Sequence, residues 1–289
     1  MSVARGSHHM HNGIKLLAVA ALGGGLLGLA GCAKLEARND LNKGVQAFKA
    51  AQFDAAEADF KDAIRLDPTF INAKLYLATA YQSQFVPGAA SPDNMRLGQQ
   101  AAQIYQDVLK QDANNSNAVA GLASLYFNMK KMDQARQWDL RLIQLEPKNP
   151  TPYYSIGVIA WTRTFSANND LRKQLGITRQ TDPLVGAKPT RKTIAACKQL
   201  AQTALPEIED GIQQLKNSMQ LRKNYADAMT YVNLLYRQKA DLACGDKAQR
   251  QQDLAMADQW VAQSLQARKL QAAEAAKAAE GGVHEQSSN

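Results

Sequence analysis

The sequence predicts an all-α protein: a helical solenoid of about five helix pairs, with a long helical insertion in the fourth. Three observations carry that expectation. Gly44, Ala78, Ala123, Gly157 and Asn233 recur at one position of a first helix, and Ala56, Ala101, Ala135, Gly211 and Ala257 at one position of a second. From each second-helix marker to the next first-helix marker the separation is 22 residues every time. Small side chains at such points let two helices approach closely. Finally, Leu66-Asp67-Pro68 and Leu145-Glu146-Pro147 close second helices with a proline, which stops a helix and pre-sets the following turn.

Taken in order, the repeats fall near 37–70, 71–115, 116–149, 150–225 and 226–269. Within repeats one and three the first-to-second-helix spacing is 12, giving a period of 34. With Gly44, Phe48, Phe53, Ala56, Phe60 and Ala63 in the first repeat, and Leu122, Tyr126 and Ala135 in the third, the chain resembles the tetratricopeptide repeat family. The resemblance covers roughly 37–269 as an array and implies a protein-interaction scaffold. Departures are Ala113 and Lys223 at the proline position, and Val261 and Ser264 in place of the usual aromatic and alanine.

The other three repeats are longer between their markers, by 11, 42 and 12 residues in repeats two, four and five, placing insertions near 85–95, 163–205 and 241–252. All three lie in the turn between paired helices and are expected to project from one edge. The first, Val86 to Asn94, reads as a loop ending in a helix start. In the largest, Thr181-Asp182-Pro183 marks a turn, and a helix from about Thr190 to Leu205 is expected to be interrupted or restarted at Pro206. Residues 270–289 read as an alanine-rich helix end that stops at Gly281-Gly282, then a disordered tail.

Ahead of the array, Arg5 and Lys15 precede an apolar run from Leu16 to Leu29, and Leu29-Ala30-Gly31-Cys32 sets small residues before a cysteine. Leu16 to Gly31 is 16 residues and contains Gly23-Gly24-Gly25, whereas a membrane-spanning helix needs roughly 20 apolar residues. The segment resembles the lipobox of bacterial lipoproteins. That resemblance implies a signal peptide over 1–31, acylation of Cys32 and a lipidated linker over 32–36, with two or three acyl chains giving a firm membrane anchor. Ala33, where inner-membrane retention would use Asp, favours the outer membrane facing the periplasm.

Charge narrows the function. The full chain carries +8, and 32 basic against 26 acidic residues leave +6 after removal of 1–31. Arg163, Arg172, Lys173, Arg179, Lys188, Arg191, Lys192 and Lys198 face only Asp170 and Asp182 in the same stretch, which alone holds +6. A nucleic-acid protein would spread its basic face over the binding fold, so nucleic acid is not an expected partner. The basic stretch is either ordinary solvated surface or a contact for anionic lipid or an acidic partner.

Beyond Cys32 the only histidine is His284, in the tail, which leaves Ser-His-Asp, Cys-His and His-ligated zinc chemistry without an imidazole in the array. No pair of acids stands out either, so no enzyme, catalytic residue, cofactor or metal site is expected. Cys197 and Cys244 are either two unrelated buried thiols or a disulfide allowed by an oxidising compartment; both sit in insertions of adjacent repeats, which favours the bridge.

First helices line the concave face of such an array. The 34-residue frame places Asn42, Asn72, Tyr76, Thr79, Asn117, Ser124, Asn128, Tyr154, Thr162 and Tyr231 there, a polar and largely uncharged set suited to a protein or extended peptide segment. Leu41 and Ala120 stand where the family's carboxylate-clamping members carry charge, so that clamp is not expected. The reading is a lipid-anchored adaptor at the bacterial envelope that takes part in assembling an envelope complex. Its alternatives are a solute- or glycan-binding lipoprotein with a pocket in the long insertion, where Trp138, Trp161 and Trp260 could stack on sugars, and, more remotely, a carboxylate-dependent enzyme.

Overall fold

The computed structural model describes the backbone of residues 12–179, 182–186 and 189–286, and within these the side chains of 31–277. Arg5, Thr181, Lys188 and residues 287–289 lie outside the described residues. What is described is all-helical: α1 (Asn12–Lys49), α2 (Phe53–Leu66), α3 (Ile71–Gln84), α4 (Pro92–Gln111), α5 (Ser116–Asn128), α6 (Met132–Leu145), α7 (Pro150–Gln174), α8 (Arg191–Leu221), α9 (Ala226–Asp241) and α10 (Lys247–Gln286). Consecutive helices α1 and α2, α3 and α4, α7 and α8, and α9 and α10 pack as pairs. Two compact units divide the chain, residues 1–121 and 122–289. Among the described residues no helix is long and apolar enough to cross a membrane.

In residues 1–121, α1 packs on α2, α2 on α3 and α3 on α4. Gly44 makes room for a ring: a Cβ there would come within 2.5 Å of Phe60. The same device recurs at Gly121, where a Cβ would overlap the Tyr105 ring. Ser91 caps α4 by accepting the Asn94 N–H at 3.3 Å, and Pro92 occupies the first turn, where its missing N–H costs nothing. Asn94 pins the preceding loop. Its amide oxygen accepts the Val86 N–H (2.7 Å), and its amino group donates to the carbonyls of Val86 (2.9 Å) and Ala89 (2.8 Å).

Residues 122–289 repeat the pattern with longer helices. Here α6 packs on α7, α7 on α8, α8 on α9 and α9 on α10, with α7 also against α9. A Cβ on Gly157 would overlap Leu215. The 42-residue insertion is not a loop. It lengthens α7 to Gln174 and starts α8 at Arg191, and its Leu171, Leu184, Val185, Cys197, Ala201 and Ala204 join one core with Ile208, Ile212, Leu215, Val232 and Leu235. In repeats two and five, too, the extra residues go mostly into early turns of α4 and α10.

Two expectations are corrected. Pro206 does not break the helix: α8 runs through it, because Ala204 and Ile208 on either side are buried in the same core and hold the backbone helical despite a cost of about 3 kcal/mol. Nor does α10 end at Gly281-Gly282; it continues to Gln286. Glycine ends a helix by turning left-handed, and without that turn it can continue the helix.

Turns that lack proline hold by other means. At Ala113, the Asp112 carboxylate accepts the Asn114 N–H (3.1 Å) and the Asn115 side chain (3.0 Å), and Asn115 in turn accepts the Ala118 N–H (3.1 Å). Past Lys223, Asn224 takes a left-handed φ of 55° and its carbonyl accepts Gln271 at 2.7 Å. Ser264, in place of the usual alanine, satisfies its hydroxyl by donating to the Ala226 carbonyl (3.1 Å) and sharing a hydrogen bond with Thr230 (2.9 Å).

Candidate functional site

Within residues 1–121, α3, α4 and the start of α5 enclose a cleft of about 380 Å³ lined by Asn72, Leu75, Tyr76, Thr79, Tyr105 and Asn117. Asn72 and Asn117 are exposed, and neither side chain has a hydrogen-bond partner among the described residues. Tyr105 lies behind them, 4% exposed, its hydroxyl shared with Thr79 Oγ1 (3.2 Å) and donating to Gln82 Oε1 (3.0 Å). Burial pushes the phenol above its usual range, so it stays neutral. Tyr76 stacks on Phe60 with ring centroids 5.6 Å apart. The cleft therefore has a rigid aromatic wall and floor, with two unengaged carboxamides at its mouth.

Asn42 does not join this cleft. It lies on α1 beside Cys32, Leu35, Glu36, Arg38 and Asn39, where it is exposed. Cys32 is a free, exposed thiol on the same helix, and Leu35 is 69% exposed.

In residues 122–289, α7 and α9 carry a row of rings. Tyr154 stacks on Tyr225 (5.1 Å) and meets Tyr231 edge-on (5.7 Å); Tyr231 meets Trp161 edge-on (5.5 Å), and Trp161 stacks on Phe165 (5.1 Å). Arg222 caps the row, its guanidinium 4.4 Å from the Tyr225 centroid. Burial, followed by the neighbouring Tyr231, raises the Tyr154 phenol far above its usual range. Thr162 is half-buried with its hydroxyl donating to the Val158 carbonyl (2.8 Å); Ser124 is exposed and Asn128 half-buried, and neither touches the rings through any contact described.

Of the ten groove residues, the structure brings Asn72, Tyr76, Thr79 and Asn117 into one cleft, and Tyr154 and Tyr231 into one aromatic row. Sequence reasoning named Trp161 only as a sugar-stacking candidate and missed Tyr105, Phe165 and Tyr225. Tyr105 was legible: it stands four residues after Ala101, as Phe60 stands after Ala56, a position that packs between repeats.

The basic insertion is corrected as a surface. Arg172 is 3% exposed; it donates to Asn168 Oδ1 (2.8 Å), to the carbonyls of Arg179 (3.2 Å) and Asp182 (2.8 Å), and to Asp241 Oδ2 (2.7 Å). Buried polar groups need partners, and this guanidinium uses its donors to fasten the insertion to repeat five. Burial raises Asp241, and the Arg172 contact opposes that. Arg163 pairs with Asp133 and with Glu207 (3.0 Å), Lys173 with Asp170 (3.4 Å) and Arg179 with Asp182 (3.0 Å). Only Arg191, Lys192 and Lys198 remain as exposed cations without an ion pair among the described residues. Cys197 and Cys244 are disulfide-bonded, with Cα atoms 5.5 Å apart. Among the described residues no cluster of His, Cys, Asp and Glu could hold a metal ion.

Helix pairs repeated along the chain define a helical-repeat protein. Residues 98–156 match the sequence model of the tetratricopeptide repeat. Solved structures agree on the fold. A crystal structure of MamA protein is 15% identical with a TM-score of 0.53, covering 82% of this chain and 94% of that one. The MamA chain from residue 41 to its end, from Desulfovibrio magneticus RS-1, is 13% identical with a TM-score of 0.53, covering 82% and 97%. None of the curated proteins matches in sequence.

Proposed function

We propose that this protein is a lipid-anchored adaptor at the bacterial envelope, which holds an extended peptide segment of a protein partner on its first-helix surface during assembly of an envelope complex. The observation that carries the reading is the cleft of residues 1–121. A peptide in extended form presents N–H and C=O groups in alternation, and the carboxamides of Asn72 and Asn117 can each donate and accept. Tyr76 and the rigid Tyr105 beneath offer flat apolar contact at small entropic cost. Membrane attachment through Cys32 is supported by the lipobox and by the exposure of that thiol on α1. A face for anionic lipid or an acidic partner reduces to Arg191, Lys192 and Lys198.

A photo-crosslinking residue at exposed Tyr76 captures the partner in cells. Replacing Asn72 and Asn117 together by alanine is expected to weaken that partner about tenfold or more, since each neutral hydrogen bond contributes roughly 0.5–1.5 kcal/mol. Helical content and melting temperature should stay unchanged, because both side chains are exposed and unpartnered. Binding should depend little on salt. Deleting the insertion would remove buried Arg172 and damage the fold; reversing charge at Arg191, Lys192 and Lys198 is the cleaner comparison. A partner indifferent to the asparagine variant but lost on that charge reversal would move the functional surface to the insertion.

A further inference from the structure

The two halves of the Cys197–Cys244 bridge sit in unlike surroundings. Cys197, near the start of α8, is fully buried in the core that also holds Leu171, Ala201 and Ala204. Cys244 is half-buried in the turn between α9 and α10, where residues 245–248 are all exposed. It borders a cleft of about 320 Å³ together with Pro183, Val185 and Gly245. Its φ is 51°, and Gly245 follows at 100°. A non-glycine residue held left-handed is strained, and bridges that are strained or exposed are the ones that external thiols open most readily.

The turn that carries Cys244 also holds the long insertion. Asp241, three residues earlier, accepts Arg172 at 2.7 Å, and the same guanidinium donates to the Asp182 carbonyl at 2.8 Å. Gly245 lies against the insertion as well, since a Cβ added there would sit 3.5 Å from Val185 Cγ1. Leu184 and Val185 in turn bury their side chains in the core around Cys197. The bridge therefore stands where α8, the turn and the 182–186 segment meet.

We infer that Cys244 is a thiol-exchange site, at which an external thiol opens the bridge and unlatches the 182–186 segment and the start of α8. The external thiolate attacks Cys244 Sγ. The Cys197–Cys244 bond breaks as the new S–S bond forms, and the electron pair leaves on Cys197 Sγ, which takes a proton from water. A second external thiolate attacks the external sulfur of the mixed disulfide, leaving Cys244 as a thiol and joining the two external sulfurs. While bridged, Cys197 Sγ carries no proton; once reduced, its S–H has an acceptor in place, the Asp241 carbonyl oxygen 3.8 Å away. Cys197 stays in the core, and the Cys244 turn moves and relieves its left-handed backbone. Asp241 moves with that turn, so buried Arg172 loses its carboxylate and its hold on the insertion weakens. None of this rests on the peptide cleft.

Reduced glutathione is the probe, added in excess to the folded, oxidised full chain carrying Cys32→Ala. Samples are quenched in acid, and the peptides containing Cys197 and Cys244 are mapped by mass spectrometry. Glutathione is expected on Cys244 at least tenfold more often than on Cys197. After full reduction, tryptic cleavage following Arg191 and Lys192, at the start of α8, should speed up at least tenfold, while cleavage following Lys110 in residues 1–121 stays unchanged. Cys244→Ser, which has no bridge to open, should show the fast cleavage without any reductant. Glutathione on Cys197 as often as on Cys244, or no adduct in the folded chain, overturns the exchange site. Unchanged cleavage at Arg191 and Lys192 in the fully reduced protein, or an equal rise at Lys110, overturns the latch.

Discussion

Asp139 occupies, in repeat three, the position that Phe60, Tyr105 and Leu215 fill in repeats one, two and four. It is 3% exposed and accepts a hydrogen bond from the Ser155 hydroxyl at 2.6 Å. Burial pushes this carboxyl up to about 7, with the Ser155 hydrogen bond opposing. Its folded value lies above the unfolded value of about 3.9, so protonation favours the folded state. The contribution is fully present below about pH 4, declines as pH rises towards 7 and is lost above it. Asp139→Asn, which mimics the protonated acid in shape, is expected to stabilise residues 122–289 at pH 8 by a few kcal/mol, with little effect at pH 4. Urea unfolding of both proteins across that range tests the sign; a difference that stays constant with pH would show that the carboxyl is not the cause.

At the scale of the helix, Pro206 is the feature most at odds with its setting. A proline inside a helix removes one hydrogen bond and crowds the carbonyl four residues earlier, here that of Gln202. Since α8 is continuous in spite of it, Pro206→Ala should raise stability, by up to about 3 kcal/mol if the surrounding side chains keep their places. Pro206 also borders Arg136, Arg163, Glu207 and Asp210, where Arg136 pairs with Asp210 at 2.9 Å. If the alanine variant is no more stable, the proline ring contributes to holding that ionic cluster, and denaturant midpoints for the variant and for Arg136→Met would separate the two effects. The same helix contains Cys197, so its first turns are fixed both by packing and by the bridge to Cys244.

At the scale of the whole molecule, two compact units and a repeat architecture make a single unfolding transition the wrong expectation, since each repeat draws stability mainly from its neighbours. The disulfide closes 47 residues of sequence separation, and in the chain-entropy view contributes about 3–4 kcal/mol. In Cys32→Ala protein no thiol should react before reduction and two afterwards. Reduction should lower hydrogen-exchange protection in α8, α9 and the start of α10 while leaving α2 and α3 unchanged. Loss of protection in both units alike would mean that the units share stability.

The periodicity alone determined the helix pairs, because a repeat must place a small residue wherever its helices cross, and Gly44, Ala56, Ala101, Ala135 and Ala257 are all buried at such crossings. It also determined which helices carry the exposed asparagines, since a residue's face follows from its register. Contacts between residues far apart in sequence were decided only by the tertiary structure. Charge counting read Arg172 as surface, whereas Asp241, 69 residues away, draws it into the core. Helix chemistry read Pro206 as a break, whereas the apolar residues on either side carry the helix through. The sites divide the same way. Asn72 and Asn117 were legible from register, but the ring row exists only because α7 and α9 meet, and local sequence holds no record of which distant side chains remove a group from water.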